Sequence, residues 1–265
     1  MAQTTAARLA STAADQDAPA GVLVRGQDVP WFDTGSNGAF KRLYASPETG
    51  WRTMLLRGEA GQVNAPHTHE GAAWFYVVQG GFAFRGGEAK VGDWVWEPVG
   101  SVHEATSHSE LTLYVGGLYG PVGMHDDKGE PPGYGDPLGA ALVRTGDIPW
   151  VDDGRGAEVR VLRISPETGY VHLMVRVKAG STRPAHNYLG QAELYVLEGE
   201  LPFGDTTAGP GDLICEPAGA SCAVSRFTTD TVYLANLYGP VFYPSPDGGA
   251  GEIVDWRALQ RRAAQ

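Results

Sequence analysis

Apolar and polar positions alternate along this chain in short runs rather than at helical spacing. In the first half the runs are 51–57 (WRTMLLR), 74–78 (WFYVV), 81–85 (GFAFR), 93–96 (DWVW) and 111–116 (LTLYVG), with Gly, Pro and Asn between them. Runs of this length bounded by turn formers read as β-strands. The 37 glycines and 18 prolines are scattered through the 265 residues instead of clustered, as many tight turns require. Evenly spaced short strands predict an all-β sandwich or barrel. The end of the chain differs: in 252–264 (EIVDWRALQRRAA) the apolar residues Ile253, Val254, Trp256 and Leu259 recur at helical spacing, predicting a short C-terminal helix. The first 20 residues are small, polar and aperiodic, and 1–25 is expected to form a disordered tail.

The pattern occurs twice. SPETG stands at 46–50 and 165–169, LYGPV at 118–122 and 237–241, and PW at 30–31 and 149–150, each pair offset by 119 positions. That single offset aligns 29–122 with 148–241 without a gap, with roughly 30 identical positions. A period this long is a duplicated domain rather than a solenoid repeat. The expected organisation is the tail, a first copy at 26–140 and a second at 141–265, the second barrel packing on the first as two subunits do; a homodimer of the whole chain stays open.

Charge and cysteine content narrow the function classes. The net charge of −11 argues against nucleic-acid binding, which needs a basic patch. No apolar run approaches the roughly 20 residues of a membrane span, and the N-terminal segment lacks the apolar stretch of a signal peptide. Cys215 and Cys222 are expected to be reduced thiols in a cytoplasmic protein.

Histidines supply the candidate chemistry. Gly61-QVNAP-His67-Thr-His69 is followed by Gly80, and then by Gly92-DWVWE-Pro98-Val-Gly100-SV-His103. His67 and His69 are two apart, so a strand turns both to one face. These two spaced motifs resemble those of the cupin superfamily, which implies a double-stranded β-helix, or jelly-roll barrel, in each copy. His103 then completes a triad of neutral imidazoles, a donor set that accepts Fe, Zn, Cu or Ni, with Mn also open. The position of the superfamily's usual Glu ligand is Trp74, whose indole is a donor only. A three-histidine site without a carboxylate is expected.

Local wording narrows the resemblance. RLYASPET at 42–49, FRGGE at 84–88, HEAT at 103–106 and LYGPVGMHDDKG at 118–129 are similar to acetylacetone-cleaving and 2,4'-dihydroxyacetophenone dioxygenases. The resemblance implies one divalent ion per chain, iron(II), on His67, His69 and His103, with Arg85, Glu97 and Thr106 as polar neighbours. It implies O2 and a small diketone or hydroxyketone as substrates. The apolar lining is expected from Trp74, Phe75, Tyr76, Phe84 and Trp96, whichever of them face inward. A non-catalytic zinc-binding sensor, like the cupin half of ChrR-type anti-sigma factors, and a metal-dependent isomerase, hydrolase or cyclase are the alternatives. In the second copy the offset maps His67, His69, Trp74 and His103 onto His186, Tyr188, Glu193 and Cys222. That set is expected to be a degenerate, metal-free site.

Overall fold

The computed structural model describes residues 20–35, 38–46, 50–64, 67–84, 87–103, 106–107, 111–120, 122–124, 141–165 and 169–265. They form two compact units, residues 28–147 and residues 148–265 together with 20–27. Each is built on a seven-stranded sheet. In the first the strand order is Ala141–Arg144, Asp93–Glu97, Ala73–Gln79, Leu111–Leu118, Arg52–Glu59, Gly38–Ala45 and Phe32–Asp33. In the second it is Val22–Val24, Leu213–Glu216, Ala192–Glu198, Thr231–Leu237, Val171–Val177, Glu158–Ile164 and Val151–Asp152. Smaller antiparallel sheets complete each barrel. His67–His69 lies between Val102–His103 and Val122–Met124; His186–Tyr188 lies between Ser221–Cys222 and Val241–Tyr243. The chain thus has the all-β character that the alternation implied and the tandem jelly rolls that the resemblance implied. The helix also forms, at Trp256–Ala263, with the Asp255 carboxylate capping the Ala258 N–H at 3.0 Å and Leu259 in the second core.

Register assigns each side chain to a face. Ala73, Trp74, Phe75 and Tyr76 stand opposite Glu97, Trp96, Val95 and Trp94. Ala73, Phe75, Val77 and Val95 belong to the apolar cluster inside the barrel, with Phe82, Phe84 and Leu118. Alternation therefore sends Trp74, Tyr76, Trp94 and Trp96 to the other face. Residues 73–77 and 93–97 are buried on both faces, which is why 73–77 and 94–96 read as continuous apolar runs.

Two glycines accommodate this double burial. In the neighbouring strand Gly116 faces Phe75 and Gly117 faces Trp74. A Cβ on Gly116 would lie 2.4 Å from the Phe75 ring, and one on Gly117 2.2 Å from the Trp74 indole nitrogen. In the second barrel the same pairs are Leu194 with Ala235 and Glu193 with Asn236. The partners changed together: a bulky residue keeps a glycine, and a polar one keeps an amide. Glu193 there accepts from Gln191 at 2.9 Å and from the Tyr238 hydroxyl at 3.3 Å, while the Asn236 oxygen lies 2.9 Å from His172 Nδ1.

The expected domain limits need correction at both ends. Val22–Val24, placed in the tail, is a strand paired with Leu213–Cys215 of the second barrel. Ala141–Arg144, placed in the second copy, pairs with Asp93–Trp96 of the first. Each sheet thus takes its edge strand from beyond the expected boundary, and the strands are equivalent: LVR at 23–25 and 142–144 shows the same offset as the other repeats. Arg25 pairs with Asp212 at 2.7 Å, and Arg144 pairs with Asp93 at the matching place. Asp212 also accepts the Gly26 and Gly209 N–H groups, each at 3.0 Å.

Two expectations follow. Asp212→Ala leaves those donors unanswered beneath the edge strand and should destabilise the second barrel by about 3 kcal/mol, whereas Arg25→Ala, removing a half-exposed partner, should lose about 1 kcal/mol; denaturant unfolding reads both, and equal losses would contradict the assignment. Gly117→Asn should lose about 2 kcal/mol by overpacking against Trp74. Combining it with Trp74→Glu, which rebuilds the second barrel's pair, should be less destabilising than the sum of the two single changes; strict additivity in the double-mutant cycle would show no coupling.

Candidate metal centre

The strand His67–His69 is held by its backbone. The His69 N–H donates to the Ser101 carbonyl at 2.9 Å, and its own carbonyl accepts the Gly100 N–H at 2.7 Å. Between them Pro98–Ser101 forms a turn closed by Ser101 N–H to Pro98 O at 3.1 Å, with Gly100 at φ 79°. A positive φ at the third position is a type II turn and favours glycine there. The Pro-x-Gly motif is therefore the device that folds the strand Val102–His103 back beside His67–His69. The second barrel repeats it, with Ala220 N–H to Pro217 O at 3.0 Å and Gly219 at φ 87°.

This register sets His103 opposite His67. The His67 and His69 rings lie on one face, with centroids 5.1 Å apart and planes at 71°. His69 is almost wholly buried. Burial, reinforced by His67, lowers its pKa to about 3, so the ring stands neutral with a nitrogen lone pair available. Both histidines line a cavity of about 590 Å³, together with Glu97, Phe75 and Leu118. The Glu97 carboxyl is pushed up to about 7 by burial, offset in part by the Ser101 hydroxyl. Tyr114, whose hydroxyl is raised by burial and bonded to Asn64, lines the cavity as well.

Of the expected site residues, His67, His69, Glu97 and Phe75 meet in this cavity, and position 103 joins them by register. Arg85 lies outside the described residues. Thr106 forms a short strand with Ser107 against Phe82–Ala83, and its side chain is outside the description. Trp74, Tyr76 and Trp96 do not line the cavity, because strand alternation turns them to the opposite face. Phe84 packs into the apolar cluster without lining it. Trp74 is accordingly not an inward position; the inward residues of this strand are Ala73, opposite Glu97, and Phe75, whose ring lies 6.3 Å from that of His69. Arg42, Arg52 and Met54 line the cavity without having been singled out.

The second barrel holds a cavity of about 680 Å³ around His186, Tyr188, Glu216 and Cys222. Cys222 stands opposite His186, as His103 does opposite His67. Glu193 is absent from the lining, being on the other face like Trp74. Burial lowers the His186 pKa to about 4 and raises the Tyr188 hydroxyl and the Cys222 thiol. The thiol lies 3.7 Å from Glu216 Oε1. A phenol and a thiol that keep their protons are poor ligands. Arg183 is paired with Asp153 and donates to the Tyr243 hydroxyl at 2.9 Å. Among the described residues no three His, Cys, Asp or Glu side chains converge closely enough to hold an ion. No helix among them is long and apolar enough to cross a membrane.

Comparison with known proteins agrees with this geometry. The model of the ChrR cupin-like domain matches residues 19–121 and again 138–241, so each match begins at or just before the exchanged edge strand. The acetylacetone-cleaving enzyme of Acinetobacter johnsonii is 28% identical over 110 residues, spanning 38% of this chain and 72% of that protein. Among solved structures, a candidate dioxygenase from Nostoc punctiforme superimposes with a TM-score of 0.71 at 11% identity, covering 89% of this chain and 87% of its own. Oxalate decarboxylase of Bacillus subtilis does so with a TM-score of 0.63 at 13% identity, over 85% and 79%. With its model matched twice over most of its length, the chain belongs to the family of ChrR cupin-like domains.

Proposed function

We propose that the first barrel holds one divalent metal ion, iron(II), on His67, His69 and His103, and that the protein is a dioxygenase cleaving a C–C bond of a small β-diketone or hydroxyketone. The observation that carries this reading is the pair His67 and His69 on one face of a deep cavity, with position 103 opposite His67. The donor set fits the ion: a buried imidazole held neutral is a ligand without first losing a proton. The similarity to an acetylacetone-cleaving enzyme supports the reaction class. When bound, the metal supplies Lewis acidity toward a chelating dicarbonyl and a place for O2 to be reduced.

The chain's own residues do the rest. A β-diketone loses a proton from the carbon between its carbonyls, and a Glu97 carboxylate oxygen, titrating near neutrality inside the same cavity, accepts it. Phe75, Met54 and Leu118 exclude water from the reacting carbon. Cleavage breaks one C–C and one O–O bond and gives one oxygen atom to each carbonyl product, so no external reductant is required. The ChrR-type match favours one second reading, a zinc-binding sensor without turnover.

One equivalent of metal should bind per chain. His67→Ala with His69→Ala should abolish binding, while His186→Ala leaves it unchanged; two tight equivalents, or metal retained by the double variant, would refute the site. The iron-loaded protein should take up O2 with a panel of β-diketones and aryl hydroxyketones. A base that must be ionised makes kcat/KM rise with pH through an apparent pKa at or below about 7, since a nearby cation can only lower the value. Glu97→Gln should remove that limb and slow turnover about 100-fold. Absence of uptake across the panel, in protein shown to hold iron, would move the reading to the sensor or to non-redox chemistry.

A further inference from the structure

The internal repeat provides a comparison for every residue facing the first cavity. At the 119-residue offset Phe40, Met54 and Leu56 stay apolar as Val159, Leu173 and Val175, while Ala39 and Val63 become Glu158 and Thr182. Thr34 and Asn64 become Asp153 and Arg183, which pair with one another, and two cationic positions become apolar. Arg42 and Arg52 line the first cavity, and their equivalents Val161 and Val171 are buried in the second barrel's core. The remaining cations of these strands behave differently. Lys41 and Arg57 lie over the Trp31 ring, and their equivalents Arg160 and Arg176 lie over Trp150. Those are a structural feature of both copies. Arg42 and Arg52 belong to the first cavity alone.

Register places the two guanidinium-bearing positions on one face. Arg42 stands opposite Met54, and Arg52 is two residues before Met54 on the same strand, with Leu118 across from it. Two like charges so close on one wall of a largely apolar cavity repel; Arg42 is exposed there and Arg52 half-buried. Among the described residues neither forms an ion pair. Arg52 donates to the Gly120 carbonyl at 3.2 Å, and its buried Nε has no hydrogen-bond partner there. An anion accepted between them offsets that repulsion and gives the buried Arg52 Nε an acceptor, and a carboxylate matches the guanidinium fork. From Phe75, beside His69, the rung of the sheet runs through Gly116 and Met54 to Arg42, three strand spacings or about 14 Å along the sheet.

We infer that the first barrel selects a substrate bearing a carboxylate, held by Arg42 and Arg52 at the end of the cavity away from His67 and His69. The assignment of the carbonyl end rests on the function proposed above; the anion end does not. The substrate class is therefore a keto acid whose reacting dicarbonyl and carboxylate lie at opposite ends, and neutral diketones are incomplete versions of it.

The test uses 4,6-dioxoheptanoate and its methyl ester, which differ only in that charge, titrated calorimetrically into the full-length metal-loaded protein at low ionic strength. The acid should bind at least tenfold more tightly than the ester, and added salt should narrow the ratio. Arg42→Val and Arg52→Val, which install the second barrel's residues, should each reduce the acid-to-ester ratio, and together bring it near one. Arg42→Gln and Arg52→Gln give the same readout should the valine variants fail to fold. Equal affinities in the unaltered protein, no binding of either compound, or a ratio that survives both substitutions would each overturn the inference. An acid preference without oxygen uptake would leave the anion site standing and defeat the dioxygenase reading; uptake without acid preference would do the reverse.

Discussion

The hydrogen-bonded register between Ala73–Gln79 and Asp93–Glu97 divides the first barrel's central residues into two sets. Phe75, Val95 and Glu97 face the barrel interior, and Trp74, Trp94 and Trp96 face the other way. Because the side-chain period of a strand is two, a slip of one residue would exchange the sets and fill the cavity with indoles. The next strand prevents this. Gly116 and Gly117 are vacant of side chain where Phe75 and Trp74 need room, and the two faces are not interchangeable in size. On the opposite wall the Pro98–Ser101 turn sets His103 against His67. His67, His69 and position 103, Glu97 and the apolar lining are therefore positioned by backbone pairing alone.

The large features were legible from residues alone. SPETG, LYGPV and PW at one offset disclosed the duplication, and two-residue alternation with glycine turns disclosed the barrels. His67 and His69 could be assigned to one face because period two demands it, and the structure agrees. Motif spacing, which put Trp74 at the Glu position, carries no strand phase, because the chain leaves the strand after His69 and resumes at Ala73. The inward residues are Ala73 and Phe75, and Glu193, like Trp74, lies on the other face. Edge strands failed for another reason. VLV at 22–24 is too short to stand out beside a polar tail, and only LVR at the repeat offset marks it as a sheet member.

Comparison of the copies separates what the barrel requires from what the cavity adds. The type II turn, the aspartate beneath the edge strand and the cations over Trp31 and Trp150 occur in both, so folding alone accounts for them. Trp74 with Gly117 and Glu193 with Asn236 show that the outward face changes in matched pairs. Among cavity positions Thr34 and Asn64 change as a pair, to Asp153 and Arg183, whereas His69 becomes Tyr188, His103 becomes Cys222, and Arg42 and Arg52 become valines. Loss of the imidazoles and loss of the guanidiniums coincide, as they would if both served a single molecule.

The exchanged edge strands also bear on how the chain is made. The first barrel's sheet is complete in sequence once Arg144 has been added, while Val22–Val24, synthesised first, must wait for Leu213–Cys215. At ribosomal rates of about 5–20 residues per second that interval is about 10–40 s. Throughout it an apolar strand of three residues has no partner within the completed half, and only Arg25 beside it carries a charge that discourages pairing with another nascent chain. The second barrel closes after the first, on a strand made before any of the first barrel, so its assembly waits for Leu213–Cys215 rather than resting on local folding.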